Sequence, residues 1–234
     1  MKKLILLCTA LLAVTLVNAQ SLEAIIKQYS TAMNADKLSG IKTIKITGKM
    51  SAMGMDMPMV MQMKNPDKVK VTYSFNGMEM VSVFDGVKGY TMNPMTGSTE
   101  PVELTGTQLT QVKNNNVFTN QLQEYYKNKQ LTLEGVEDVN GKPANKLKVN
   151  VEGGNPIYMF VDKGTGLIVK STTKVDQMGT TMDVETFMND YTETKGVILP
   201  KKTIAKMNGM EAGVISFDVI EVDVPMDDAL FKVK

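Results

Sequence analysis

Met53-Gly54-Met55-Asp56-Met57-Pro58-Met59-Val60-Met61-Gln62-Met63 sets six methionines on consecutive odd positions. Successive side chains of a β-strand point to opposite faces. Met57, Met59, Met61 and Met63 therefore share one face, and Pro58, Val60 and Gln62 share the other. A helix would scatter the same residues around its axis, so the period predicts a strand. Gly54 and Asp56 signal a turn ahead of it, which puts Met53 and Met55 near a hairpin tip. Three uses of these thioethers stand open. They can pack a core, since methionine fills irregular space. They can line a cavity for something greasy. Around the tip, Met53, Met55 and Met57 can act as soft ligands for Cu(I).

Toward the N-terminus, Ile44, Ile46 and Met50 alternate with Lys45, Thr47 and Lys49, the pattern of a half-buried strand. Before it, Leu22, Ile25, Ile26, Tyr29, Ala32 and Met33 recur at helical spacing behind Ser21. They predict a helix over 21–34, and Gly40 ends that region. Lys2 and Lys3 open the chain, an apolar run follows over 4–17, and Val17-Asn18-Ala19 supplies a small-residue cleavage pattern. Residues 1–19 are thus expected to be a signal peptide, cleaved after Ala19, that exports the chain to a bacterial periplasm. The apolar run is short for a membrane span, and no later segment is apolar enough for one. Cys8, the sole cysteine, lies inside the run, so the mature chain has no disulfide and relies on an ordinary core.

Beyond the methionines, Asn65-Pro66-Asp67 breaks the strand. Val69, Val71, Tyr73 and Phe75 then alternate with Lys68, Lys70, Thr72 and Ser74, and Asn76-Gly77 is the strongest hairpin signal in the chain. A return strand over 78–84 carries Met80 and Phe84. Asp85-Gly86 turns into another short strand over 88–92, and 93–97 is a loop. Thr105 and Gln108 fit a capping box ahead of Leu109 and Val112. Val117, Phe118, Leu122, Tyr125 and Tyr126 predict a second helix over 119–129. From Leu131 onward, turn signals such as Asn140-Gly141 and Asn208-Gly209 separate further strands as far as Val222. The expected class is α+β: one large curved antiparallel sheet of about ten or eleven strands, forming a half-open β-barrel. Helices at 21–34 and 105–129 cover or plug its concave face, and residues 20–234 make one domain.

Composition removes several function classes. The 26 basic residues are all lysines and face 25 acidic ones, a formal net charge of +1, which gives no case for nucleic acid. With no histidine and no arginine, the chain lacks the usual general base, the commonest metal ligand and the bidentate clamp for carboxylate or phosphate. The mature part has no cysteine nucleophile, and no glycine-rich phosphate loop opens a helix. Enzyme is the least supported class, and nothing calls for a cofactor.

Four stretches carry a family resemblance. They are Met61-Gln62-Met63-Lys64-Asn65-Pro66-Asp67-Lys68-Val69, Phe84-Asp85-Gly86-Val87-Lys88-Gly89-Tyr90-Thr91-Met92-Asn93-Pro94, the segment from Tyr191 through Lys195-Gly196-Val197-Ile198-Leu199-Pro200, and Val222-Asp223-Val224-Pro225-Met226-Asp227-Asp228-Ala229-Leu230-Phe231. In order and content they resemble the outer-membrane lipoprotein carriers of the LolA/LolB type, over nearly all of the mature chain. The resemblance implies a half-open barrel with helices over its mouth and an apolar hollow for acyl chains of lipoproteins in transit. It also implies an arginine latching the lid near the basic-Pro corner; here that corner reads Lys64-Asn65-Pro66.

The expected function is binding of lipid or lipoprotein acyl chains, for sorting or sensing, by a monomer. The expected lining is Met57, Met59, Met61, Met63, Val71, Tyr73, Phe75, Met80 and Phe84 from the strands, with Leu109, Val112, Phe118, Leu122 and Tyr126 from the helices. Two alternatives are a Cu(I) module at Met53, Met55 and Met57, and an envelope protein-interaction domain without lipid.

Overall fold

The computed structural model describes residues 20–118, 120–177 and 179–232, so the predicted leader lies outside the described residues. Ser21 Oγ accepts from Ala24 N at 3.2 Å and caps helix α1 (Leu22–Ala32), which buries Ile25, Ile26 and Tyr29. Asn34 then adopts a left-handed backbone (φ 50°) and starts a separate single turn, α2 (Ala35–Leu38). The helix predicted over 21–34 is therefore α1 with its caps, and α2 is a further single turn beyond the corner at Asn34.

Six strands follow as a meander: β1 (Thr43–Ala52), β2 (Met55–Lys64), β3 (Lys68–Phe75), β4 (Met78–Phe84), β5 (Gly89–Asn93) and β6 (Ser98–Leu104). Helices α3 (Gly106–Asn114) and α4 (Gln121–Lys127) interrupt them. Seven more strands complete the sheet: β7 (Leu131–Val139), β8 (Lys142–Val149), β9 (Ile157–Asp162), β10 (Ile168–Gln177), β11 (Thr180–Thr194), β12 (Val197–Met207) and β13 (Met210–Val222). A short 3-10 turn over Asp228–Phe231 closes the described chain. All thirteen strands join one antiparallel sheet in the order β6-β5-β4-β3-β2-β1-β13-β12-β11-β10-β9-β8-β7. The chain walks outward from β1 to one edge, crosses through α3 and α4 to the other edge, and walks back until β13 pairs with β1.

The strand count exceeds the expectation in part because β6 was not legible. Its sequence, Ser98-Thr99-Glu100-Pro101-Val102-Glu103-Leu104, lacks apolar alternation and contains a proline. Proline removes a ladder donor, and it is tolerated here because β6 is an edge strand. Two further details differ. Thr105 occupies the N-cap of α3, yet its side chain makes no capping hydrogen bond. Met55 pairs with Ala52 as the first residue of β2, leaving Met53-Gly54 alone as the two-residue turn.

That turn is one of five of a kind. Met53-Gly54, Asn76-Gly77, Asn140-Gly141, Lys195-Gly196 and Asn208-Gly209 all place two successive residues at positive φ, the type I′ geometry whose twist matches that of paired strands. In a meander, hairpin turns alternate between the two ends of the sheet. The end opposite Met53-Gly54 is where the N-terminal helices attach. There Gln28 Nε2 donates to Lys163 O (3.0 Å), Asn34 Nδ2 donates to Gly196 O (3.4 Å), and Lys42 N donates to Asp223 Oδ1 (2.8 Å).

Two apolar clusters hold helices to the sheet's inner face. One gathers Ile44, Ile46, Met59, Met61, Met63, Val69, Val71, Leu199 and Val222 under Leu38 of α2 and Phe118. The other gathers Leu131, Leu147, Val149 and Val161 under Ile25, Ile26 and Tyr29 of α1 and Leu122 of α4. Among the described residues, no helix is long and apolar enough to cross a membrane.

Candidate functional site

Residues paired across an antiparallel ladder point to the same face, so the register maps the inner surface row by row. The deepest row runs Phe84, Val69, Met63, Ile44 and Val222, and the next runs Ser82, Val71, Met61, Ile46 and Ile220. Both lie largely under the helices. Beyond them the cover thins. A third row runs Met80, Tyr73, Met59, Gly48 and Phe217, and a fourth contains Met57, Met50, Ile215, Thr203 and Met188.

Gly48 is required in the third row. A Cβ there would stand 2.1 Å from Ser216 O, because a bulge between Thr47 and Gly48 brings β13 close. That bulge keeps Phe217 and Ile215 on the inner face alongside Ile220 and Val222.

The expected lining residues divide into three groups. Met59, Met61, Met63 and Val71 are buried, and Met63 is fully so (0 % exposed), packed beneath Leu38 and Phe118. Phe84 forms a separate small cluster with Leu104, Leu109 and Val112, with Lys113 Nζ 4.8 Å from its ring centroid. Leu122 and Tyr126 pack toward β7–β9 with α1. The helix residues thus do not converge on the methionine strand; of the five, Phe118 alone reaches its cluster.

Tyr73 is half-buried, and its hydroxyl pKa is pushed up by burial. Phe75 and Met80 are also half-buried and belong to none of the apolar clusters among the described residues. Met57 sits at the boundary at 9 % exposed. The tip residues part company: Met53 is 94 % exposed in the turn itself, while Met55 shares the strand face of Met57 and Met50.

Half of this surface escaped sequence reasoning. Met50, Met188, Thr203, Met207, Ile215 and Phe217 line the same face half-buried. Of these, only Met50 shares an alternation read from the sequence, that of Ile44 and Ile46. What the sequence did not show is that β13 lies beside β1, which sets Ile215 and Phe217 next to the methionines.

The basic-Pro corner, where the resemblance implied an arginine latch, is tied down differently. Asn116, between α3 and α4, donates Nδ2 to Pro66 O at 2.8 Å and accepts from Phe118 N on Oδ1, also at 2.8 Å. Asn65 Nδ2 donates to Ile41 O at 2.8 Å. Lys64 and Lys68 both reach Asp228, at 2.7 and 3.1 Å, and these bonds hold the Asp228 carboxyl below the ordinary carboxylate range, Lys64 foremost. An open cleft of about 400 Å³ adjoins this corner, lined by Asp67, Phe84, Lys113, Asn116, Glu124 and Tyr125.

No protein-family model matches this chain, and no curated protein matches it in sequence. Solved structures do match in fold. A DUF1329 family protein from Desulfovibrio piger superposes with a TM-score of 0.62 at 14 % identity, over 89 % of this chain and 97 % of that one. A domain described as an outer membrane lipoprotein-sorting protein, from Vibrio parahaemolyticus, gives 0.60 at 10 % identity, over 90 % and 97 %. A LolA superfamily protein from Nitrosomonas europaea gives 0.57 at 11 % identity, over 91 % and 97 %. The chain therefore has the LolA-like fold, a curved half-open antiparallel barrel with few helices. At such identities the likeness speaks for architecture alone.

Proposed function

We propose that the uncovered part of the inner face is a trough for an acyl chain of a lipid or lipoprotein, in an exported, non-catalytic carrier or sensor. The observation that carries this reading is a group of apolar side chains with no fixed cover. Met50, Phe75, Met80, Met188 and Met207 face inward, lie half-buried, and join none of the packed clusters among the described residues. Leaving apolar area in water costs about 25 cal/mol per Å², so a contiguous surface of this kind marks a binding site. Methionine dominates it, and an unbranched thioether adapts to flexible partners.

From Ile46 to Ala52 at the tip, the strand runs roughly 20 Å, enough for an extended acyl chain. Met57 and Tyr73 then form the floor, while Met59, Met61 and Met63 anchor the wall to the core. The absence of histidine and arginine supports a role without catalysis. The architecture shared with a lipoprotein-sorting domain supports the same reading.

Delipidated protein titrated with a fluorescent fatty acid should show saturable binding. The double variant Met50→Glu/Met80→Glu should weaken it at least about tenfold, because each carboxylate would be desolvated against the chain. Unchanged affinity in a variant whose far-UV circular dichroism matches the parent would overturn the proposal.

A further inference from the structure

The two walls of the trough differ chemically. Along β1–β4 the inner positions beyond the helices are Met50, Met57, Tyr73, Phe75 and Met80. Opposite them, on β10–β12, the inner positions include three hydroxyls. Ser171 pairs with Thr186, Thr186 pairs with Ala205, and Thr203 pairs with Ile215, the partner of Met50. Ser171 also pairs with Met159, which packs under the helices, so these hydroxyls share the methionines' face.

All three are half-buried, and none makes a side-chain hydrogen bond to another described residue. Some other hydroxyls on the sheet are engaged by the fold itself. Thr91 Oγ1 donates to Val81 O at 3.1 Å and lies 3.4 Å from Ser82 Oγ, Thr173 Oγ1 donates to Pro156 O at 3.0 Å, and Thr43 Oγ1 donates to Val224 O at 2.6 Å. Half-buried ones such as Thr47, Thr72 and Ser216 are also without a side-chain hydrogen bond among the described residues; Ser171, Thr186 and Thr203 differ from these in facing the methionines. Ser171, Thr186 and Thr203 thus keep both donor and acceptor capacity for something in the hollow.

Charge narrows what that something is. The row from Met57 through Met50 and Ile215 to Thr203 and Met188 carries no ionisable group, and neither does the stretch from Ala205 through Thr186 and Ser171 to Met159. Of the lysines on neighbouring strand positions, Lys170 and Lys174 are paired with Glu185 and Asp183, while Lys201 and Lys202, just before Thr203, are exposed at the surface. The chain has no arginine, so an anionic headgroup would find no bidentate guanidinium clamp here.

We infer that the ligand is an amphiphile with an uncharged, hydroxyl-bearing headgroup, of the acylglycerol or glycolipid kind, whose headgroup lies on Ser171, Thr186 and Thr203 while its chain lies along the methionine wall. This inference rests on the acyl-chain reading above and adds the headgroup to it.

Three probes with the same chain separate the two: monododecanoylglycerol, dodecyl glucoside and dodecanoate. Each is titrated calorimetrically into delipidated protein below its micelle concentration at pH 8. The neutral probes should bind at least about tenfold more tightly than dodecanoate, the scale of one or two hydrogen bonds. The variant Ser171→Ala/Thr186→Val/Thr203→Val should bring all three to the dodecanoate affinity. Valine keeps the shape of threonine and suits a strand, and Thr186→Val alone gives a milder second variant. Equal affinities in the parent protein, or a preference that survives both variants, overturn the headgroup assignment and leave chain binding standing. Failure of all three probes to bind overturns both readings.

Discussion

Met53 occupies a left-handed position, φ 52°, with 94 % of its surface in water. Asparagine holds the equivalent place in the turns at Asn76, Asn140 and Asn208, because its short polar side chain tolerates that conformation. Methionine gains nothing there from packing, so Met53→Asn should stabilise the protein by about 0.5–1 kcal/mol. Urea denaturation should show a raised midpoint at unchanged slope; a lowered midpoint would contradict the turn assignment. The alternation that starts beside it was fully legible, since a period of two needs only local geometry. Which of those methionines would join the packed cluster was not, since all four on the strand face are buried yet only Met59, Met61 and Met63 belong to it. Met63 and Met57 are alike in sequence, and the difference lies in the cluster that Met63 shares with Leu38 and Phe118 and that does not include Met57.

At the scale of elements, the segment between α3 and α4 depends on Asn116. Its two 2.8 Å bonds tie the crossover to the corner between β2 and β3, and it is buried. Asn116→Ala leaves Pro66 O and Phe118 N without these partners, so it should cost about 1–3 kcal/mol. Amide exchange should quicken over 106–127 before it changes in β1–β3. Uniform quickening throughout the sheet would show that the crossover is not a separate unit.

Most elements could be placed from sequence because Asn-Gly and Asp-Gly pairs punctuate a period of two. β6 could not, for the reason that makes it a good edge. Pro101 and the flanking Glu100 and Glu103 discourage pairing with another chain and also blur the strand signal. The opposite edge, β7, is protected by a bulge near Gly135 and by Glu134, Glu137 and Asp138. The curvature was inferable from the number of strands, whereas the order β1-β13 at the centre depends on pairing across nearly the whole chain.

For the whole molecule, the response to alkali follows from buried tyrosines. Burial pushes the Tyr29 hydroxyl from 10.0 up to about 12, and it raises Tyr191 as well, with Tyr29 adding to the effect. Between those two values the unfolded chain releases the Tyr29 proton while the folded chain keeps it. The Tyr29 contribution is thus complete below pH 10 and is lost on the way to pH 12, roughly 2–3 kcal/mol. Tyr29→Phe should flatten that decline in denaturant titrations across the same range; an identical decline would place its origin elsewhere.

The seam between β1 and β13 has a consequence in time. Ile44 finds Val222 only after every intervening strand has been made, whereas each other strand pairs with its neighbour in sequence. A chain emerging from its N-terminus can assemble the meander from β1 to β6 and then that from β7 to β12 through short-range contacts, with the two halves still unjoined. The last thirteen-residue strand is what unites them. Until it arrives, the inner face is two separate sheets, and the proposed trough has only its methionine wall.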